Sequence, residues 1–507
     1  MHIIGDLLGG FHIVLQPANF FYCFIGVFIG TLIGVLPGIG PIGAMSILLP
    51  LTFDLSPTSS IIMLAGIYYG AMYGGSTTSI LVNIPGEAVS VVTCIDGYQM
   101  ARKGRAGPAL GISAFGSFIG GTFSVIALMF LVAPLAEVAL KFGPAEFTAL
   151  ICLSLILLTY LASRSTLRAL LMVIAGLLVG TVGNDPITVD PRFTFGSDHL
   201  LDGIGLVPVA MGLFGISELL INLEQPQLRI FVKTTIKKLL PTRDDWKRSY
   251  GPIGRGSVLG FLLGILPGGG GIIASFFSYT VEKRLSKHPD QFGKGAIEGV
   301  AGPETANNSA STGGFVPLLA LGIPSNVIMG LVLGALIIHG VTPGPLIVKE
   351  HPEIFWGVIA SMYIGNIMLL FLNLPLISLW VSVLRVPYRF LLPIIFLCCF
   401  IGAYAANNNY LDIILMLIFG IVGYVLRKLD YELAPFLLAM VLGPILERNF
   451  RNALNLSDGS FWFFAQKPIS AVIFIICFLL LLSTGLSAYR KTKQRIIMEK
   501  GGEEPEA

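Results

Sequence analysis

The sequence predicts an all-α polytopic membrane protein made of two inverted-topology repeats with broken or re-entrant helices. Three observations carry that prediction: long uncharged runs, a glycine-proline segment that occurs twice, and basic loops that change places around its two copies. Of 507 residues, 54% are hydrophobic and 12% charged, and the mean hydropathy is +0.82. Soluble domains carry about twice that share of charge. Residues 7–53, 55–86, 106–136, 256–281, 305–348 and 354–384 contain no Asp, Glu, Lys or Arg. A membrane span needs about 20 apolar residues, so about 11–14 membrane elements fit the chain. Lipid cannot satisfy open backbone, which makes the spans helical.

The duplicated segment is "GTLIGVLPGIGP" at 30–41 and "GFLLGILPGGGG" at 260–271. Gly34, Pro37, Gly38 and Gly40 in the first copy correspond to Gly264, Pro267, Gly268 and Gly270 in the second. The correspondence extends downstream. "YGGSTTSILVNIPGE" (73–87) aligns with "TGGFVPLLALGIPSN" (312–326), setting Gly74-Gly75 over Gly313-Gly314 and Pro85 over Pro324. Order is kept while spacing drifts, as expected of a duplication with loop insertions. After the first LPG comes "LTFDLSPTSS", with no basic residue, and after the second "EKRLSKH". After the first Ile-Pro comes "DGYQMARKGR", and after the second "IIHGVTPGP". Lys and Arg stay on the cytoplasmic side, so the exchange predicts halves of opposite orientation, as in many secondary transporters.

Between the halves lies a hydrophilic stretch with eight basic and three acidic residues. The division read from this is repeat 1 at 1–223, a basic cytoplasmic linker at 224–255, repeat 2 at 256–487, and a basic cytoplasmic tail at 488–507. These basic runs read as topology signals, not as a nucleic-acid surface. The six cysteines lie in or beside apolar stretches without metal spacing and read as small buried hydrophobes. No removable signal peptide is expected.

Helix breaks follow from length. The 44 uncharged positions of 305–348 would make about 66 Å of helix against a core of about 30 Å. That segment must fold back, with Pro317, Pro324 and the Gly313-Gly314 pair as break points. The same reading gives 55–86 breaks at Gly74-Gly75 and at Pro85-Gly86. Pro37 and Pro267 read as hinges or helix ends. Such breaks are tolerated at membrane depth only where protein or a watery cavity covers them.

Polar side chains gather at the breaks. The first half supplies Ser76, Thr77, Thr78, Ser79 and Asn83. The second supplies Glu304, Asn307, Asn308, Ser309, Ser311 and Thr312, then Ser325 and Asn326. Hydroxyls, amides and helix N-termini suit an anion, and freed carbonyls suit a small cation. Asn307 and Asn308 stand out because adjacent amides in an apolar run are costly without partners. With Thr312 they are the expected Na⁺ neighbours. Small residues also line helix interfaces for steric reasons alone. No phosphate-binding loop, His-Glu-x-x-His or Gly-x-Ser-x-Gly occurs, so neither an enzyme nor an ATP-driven pump is expected, and no covalent cofactor.

The motifs "GVLPGIGP", "YGAMYGGSTTSILVNIPGE", "DGYQMARKGRAGPALG" and "GPETANNSASTGGFVPLLALGIP" resemble the large membrane subunit of the bacterial tripartite tricarboxylate transporters, over about residues 10–485. The resemblance implies a permease in the inner membrane that works with a small membrane subunit and a periplasmic solute-binding protein. It implies import of carboxylates such as citrate by symport, coupled to an ion gradient, generally Na⁺, with H⁺ as the other candidate ion. Similarity to other binding-protein-dependent secondary transporters further implies an elevator-like motion. The alternative from another class is an ion or solute channel on the same inverted repeats.

Overall fold

The computed structural model describes residues 3–36, 40–162, 165–224, 239–268, 270–384 and 388–483. Five of its helices are long and apolar enough to cross a membrane: Pro17–Val35, Ala106–Ala139, Leu206–Glu224, Pro352–Asn373 and Tyr410–Lys428. Seven shorter apolar helices accompany them. Among the described residues one small antiparallel hairpin, Gly183–Asn184 with Pro191–Arg192, interrupts the helices. The chain is a multi-pass helical membrane protein. Ile414, Ile418 and Ile421 stand exposed along one side of Tyr410–Lys428, a face suited to lipid contact.

Each half is organised around a glycine stripe. Gly26, Gly30 and Gly34 repeat every four residues on one face of Pro17–Val35 and meet Met63, Ile67 and Ala71 of Pro57–Val82. A Cβ at Gly30 would lie 2.5 Å from the Ile67 carbonyl, and one at Gly34 2.2 Å from that of Ala71. In the second half Gly256, Gly260 and Gly264 of Arg243–Ile265 meet Gly302, Ala306 and Ala310 of Glu298–Gly313 in the same way. Ascending register on both partners makes each pair parallel. Lipid offers no hydrophobic drive between helices, so close backbone approach through small residues supplies the packing. Gly34 and Gly264 therefore sit inside helices and serve this contact; they are not breaks.

The break expected at Gly74-Gly75 is also corrected. Pro57–Val82 runs through Gly74-Gly75 without interruption, a helix of 26 residues, about 39 Å long. Segment 55–86 does not fold back there. Gly74 lets the Thr31 carbonyl approach and Gly75 makes room for Glu87. The helix is fixed at its start by Ser56, whose Oγ accepts from Ser59 N, with Pro57 in the first turn. It ends at Asn83, which adopts the left-handed conformation (φ 59°), and Ile84-Pro85-Gly86 follow as the break. The second part of the basic linker is helical. Thr242 and Asp245 cap each other, and Arg243–Ile265 continues unbroken into the LPG segment.

The LPG segments do break the chain. Pro37 and Gly38 lie outside the described residues, but the helices on either side end at Val35 and start at Gly40. Pro267 and Gly268 lie between Arg243–Ile265 and Gly270–Leu285, with positive φ at Gly268 and Gly270. Gly313 ends Glu298–Gly313, and Gly314 alone, itself in helical conformation (φ −62°, ψ −21°), separates it from Phe315–Leu321, which contains Pro317 unbroken; Pro324 lies in the break before Val327–Ile338.

The halves then exchange neighbours. Ala106–Ala139 packs along Glu298–Gly313, and Pro352–Asn373 along Pro57–Val82. Asp96 clasps the halves together from Val91–Arg102. Fully buried, it accepts from Gly295 N (2.7 Å), Ala296 N (2.9 Å) and Tyr279 Oη (2.8 Å). Asp96→Ala orphans all three donors. We expect a loss of at least about 2 kcal/mol, read as a lower melting temperature of the purified protein.

The hairpin is tied to Ala434–Asn455 by ion pairs joining Arg192 to Glu447 (2.7 Å) and Arg451 to Asp185 (2.5 Å). The backbone N–H groups of Thr188 and Ile187, then Arg451, hold the Asp185 carboxyl well below the usual carboxylate range. A depressed folded-state value means the stabilisation is full above the unfolded pKa of about 3.9 and is lost only as pH falls through the folded value. Limited proteolysis should therefore find the hairpin unchanged from neutral pH down to about 4, and cleavable only in stronger acid.

Candidate functional site

Four chain breaks meet at one cavity of about 530 Å³, within the range of small-molecule pockets. Gly40 to Gly43 line it from the first LPG break, and Gly268 with Gly270 to Ile273 from the second. Ile84 to Val89 line it from the break after Pro57–Val82, and Asn326 to Ile328 from the break after Phe315–Leu321. Three helices, Gly40–Leu48, Gly270–Leu285 and Val327–Ile338, thus begin at its wall. Each start leaves N–H groups without intrahelical partners and the positive end of a dipole. The breaks are stitched together: Gly268 N donates to Ser325 O (2.8 Å), and Thr78 Oγ1 donates to Val35 O (2.6 Å). Asn326 caps its helix through Met329 N and reaches Tyr68 Oη at 3.4 Å.

Of the lining residues described, Arg427 alone is cationic. It is ion-paired with Glu218, which also lines the cavity. Glu218 follows a π-helical turn, Met211–Ile216, within Leu206–Glu224; such turns are frequent at functional sites. Glu87 is buried in the wall, 6% exposed; the Ser90 N–H of its own turn faces the carboxylate, which has no other hydrogen-bond partner. A Cβ at Gly75 would lie 1.6 Å from Glu87 Oε2. The Ser90 hydroxyl is spent on the backbone of Glu87.

Behind the wall lies a second, fully buried polar layer. Glu304 accepts from Ser76 Oγ (2.5 Å) and from Thr93 Oγ1. Asn308 Nδ2 donates to Ser117 Oγ (2.7 Å) and to Glu304 O (3.2 Å), while its Oδ1 is unpartnered. Both amide atoms of Asn307 are buried without a partner. A Cβ at Gly271 would touch Asn307 Oδ1 at 2.9 Å and Val89 at 3.1 Å, so Asn307 sits directly behind two lining residues.

The structure therefore distributes the sequence candidates unevenly. Asn326 lines the cavity itself. Ser76, Glu304, Asn307 and Asn308 form the buried layer. Ser79, Ser311 and Ser325 donate to the backbone carbonyls of Gly75, Asn307 and Gly314. Ser309 is spent on Ser257 O and Ser124, while Thr77 and Thr312 are buried in their helices. Asn83 is exposed, and its left-handed backbone serves the helix end. Of the expected Na⁺ trio, Asn307 and Asn308 take different directions, the first towards the cavity wall and the second towards Ser117. Sequence reasoning missed Glu87, Thr93 and Arg427. Glu87 carried a signal, as the charge that ends the uncharged run 55–86. Arg427 carried none, since it lies about 100 residues beyond the break at Pro324.

The model of the tripartite tricarboxylate transporter TctA family matches residues 20–438. The chain belongs to that family. This TctA-family chain is 49% identical over 500 residues to the "Uncharacterized 52.8 kDa protein in TAR-I ttuC' 3'region" of Agrobacterium vitis, covering 99% of the chain and 100% of that protein. It is 50% identical over 243 residues to the "Uncharacterized protein in TAR-II ttuC' 3'region" of the same organism, covering 47% of the chain and 99% of that shorter protein. No solved structure matches it. The family is one of transporters, and the chain is accordingly a tripartite tricarboxylate transporter permease.

Proposed function

We propose that this permease imports di- or tricarboxylates such as citrate across the bacterial inner membrane, receives them from a periplasmic solute-binding protein, and works beside a small membrane subunit. The observation that carries the reading is the meeting of four breaks and three helix N-termini at one cavity. Helix starts and Arg427 favour carboxylate groups there. Unpartnered acceptors at Glu87, Asn307 and Asn308 favour a coupling cation, Na⁺ or H⁺, travelling with the substrate. Symport of this kind answers the scarcity of basic side chains, because the cation neutralises what the protein does not.

Inverted repeats are supported by the two parallel glycine-striped pairs. The second pair starts at the basic end, where Arg105 bonds Asp245; the first is linked by a segment with no basic residue. An elevator motion is consistent with tightly packed pairs whose ends carry the breaks that line the cavity. The linker and C-terminal tail are cytoplasmic in this reading, by their Lys and Arg excess.

The test is uptake of labelled citrate and other carboxylates into proteoliposomes holding both membrane subunits, with the binding protein outside. Accumulation should require the binding protein and an inward Na⁺ or H⁺ gradient. Gradient-independent flux that does not saturate would favour the channel reading and sink this one.

A further inference from the structure

We infer that Glu87 is the carboxylate that binds a monovalent metal cation, Na⁺, at the cavity wall, with Asn307 as its second oxygen ligand. The inference rests on the transport reading above and deepens it. The two buried carboxylates of this region differ in kind. Glu304 is satisfied by hydroxyl donors from Ser76 and Thr93. Glu87 has no such hydroxyl donors: both oxygens are buried, the residue is 6% exposed, and only the Ser90 N–H of its own turn faces the carboxylate. A bare carboxylate in such surroundings is costly unless a cation or a donor reaches it.

The surroundings add a neutral oxygen acceptor, Asn307 Oδ1. Asn307, 1% exposed and unpartnered at both amide atoms, lies behind Gly271 and Val89, two residues along from Glu87. The break at residues 83–87 frees backbone carbonyls beside it, and hard oxygen ligands of this mixed charged and neutral type suit a small metal ion. Among the described lining residues the one cation, Arg427, is already committed to Glu218. Gly75 and Gly86 hold the carboxylate in place. A Cβ at Gly86 would lie 2.1 Å from the Gly34 carbonyl, so this turn is pinned to the end of the Pro17–Val35 helix. Cation binding at Glu87 therefore bears on the same break that lines the substrate cavity, which is what coupled transport requires.

The test has two arms. In the first, the purified full chain is melted in detergent with no substrate, in increasing NaCl against KCl at constant ionic strength. Wild type should gain thermal stability in Na⁺ alone, and Glu87→Gln should lose that gain or need at least about tenfold more Na⁺. Glu87→Asp should keep it with weakened affinity. An Na⁺ response in Glu87→Gln equal to that of wild type overturns the inference. So does a wild type that melts alike in Na⁺ and K⁺ but is stabilised by acid, which would make Glu87 a proton site. In the second arm, citrate exchange by the reconstituted complex is measured across Na⁺ concentrations. Exchange by Glu87→Gln, at whatever rate it retains, should no longer respond to Na⁺; a retained response also overturns the inference. A wild type that exchanges no carboxylate yet is stabilised by Na⁺ would instead defeat the transport reading and leave the ion site standing.

Discussion

Gly260→Leu should lower the melting temperature of the purified protein more than any other single substitution in the second half, and Gly30→Leu should do the same in the first. At both positions the space for a side chain is taken by backbone. A Cβ at Gly260 would meet the Ala306 carbonyl at 2.3 Å and its Cα at 2.7 Å. Backbone in the middle of two packed helices cannot rotate away as a side-chain tip can. The pair must separate along its length, breaking contact at Gly256 and Gly264 too. Overpacking costs about 1–3 kcal/mol in ordinary cores, and we expect the upper end or beyond. The control lies two positions before the stripe on the same helix. Gly254 has nothing within 4 Å of its missing Cβ. Gly254→Ala should raise stability by up to about 1 kcal/mol, since alanine is the better helix former. Detergent thermal melts of the variants decide the matter. Equal melting of Gly254→Ala and Gly260→Leu would show that the stripe does not hold the pair together.

Arg427→Gln should raise the half-saturation concentration for carboxylate transport by about 10- to 100-fold, the worth of one hydrogen bond to a charged group. Glu218→Gln should move it the other way, because Glu218 now occupies the guanidinium that an incoming carboxylate would use. The double variant should resemble Arg427→Gln, since Glu218 acts only through the arginine. These opposite signs separate a substrate contact from a structural ion pair. If both variants weaken transport equally and melt at equally lower temperatures, the pair is structural and the carboxylate binds elsewhere. Concentration dependence of citrate exchange in proteoliposomes, beside the melting curves, gives both readouts.

Some of this architecture could be read from sequence because its causes are local. Proline and paired glycines break helices wherever they fall, so the LPG segments and the break at Pro324 were legible, as were the uncharged runs. Composition could not tell a glycine that ends a helix from one that admits a neighbour. Gly74-Gly75 looks like Gly313-Gly314 in an alignment, yet the first pair lies within an unbroken helix against the Thr31 carbonyl and Glu87. The difference is set by partners some 40 and 12 positions away. Hydroxyl clusters were ambiguous for the same reason. Ser309 and Ser311 had the right chemistry for a ligand, but Ser257 O and Asn307 O use it. Arg427 is the clearest case of what a linear reading cannot reach. Only the packing of Tyr410–Lys428 against Leu206–Glu224 brings it to the cavity.

The wide turn at Met211–Ile216 carries a consequence of its own. A π turn houses one more residue than the α-helix needs, and each residue of an α-helix advances the face by about 100°. Drawing that turn back to α geometry would swing every side chain beyond it by that angle, Glu218 first among them. The carboxylate would leave Arg427 as the helix beyond the turn rotated and advanced by about 1.5 Å. The helix thus holds its surplus residue like a cocked ratchet tooth, one click away from uncovering the cavity's only positive side chain among those described.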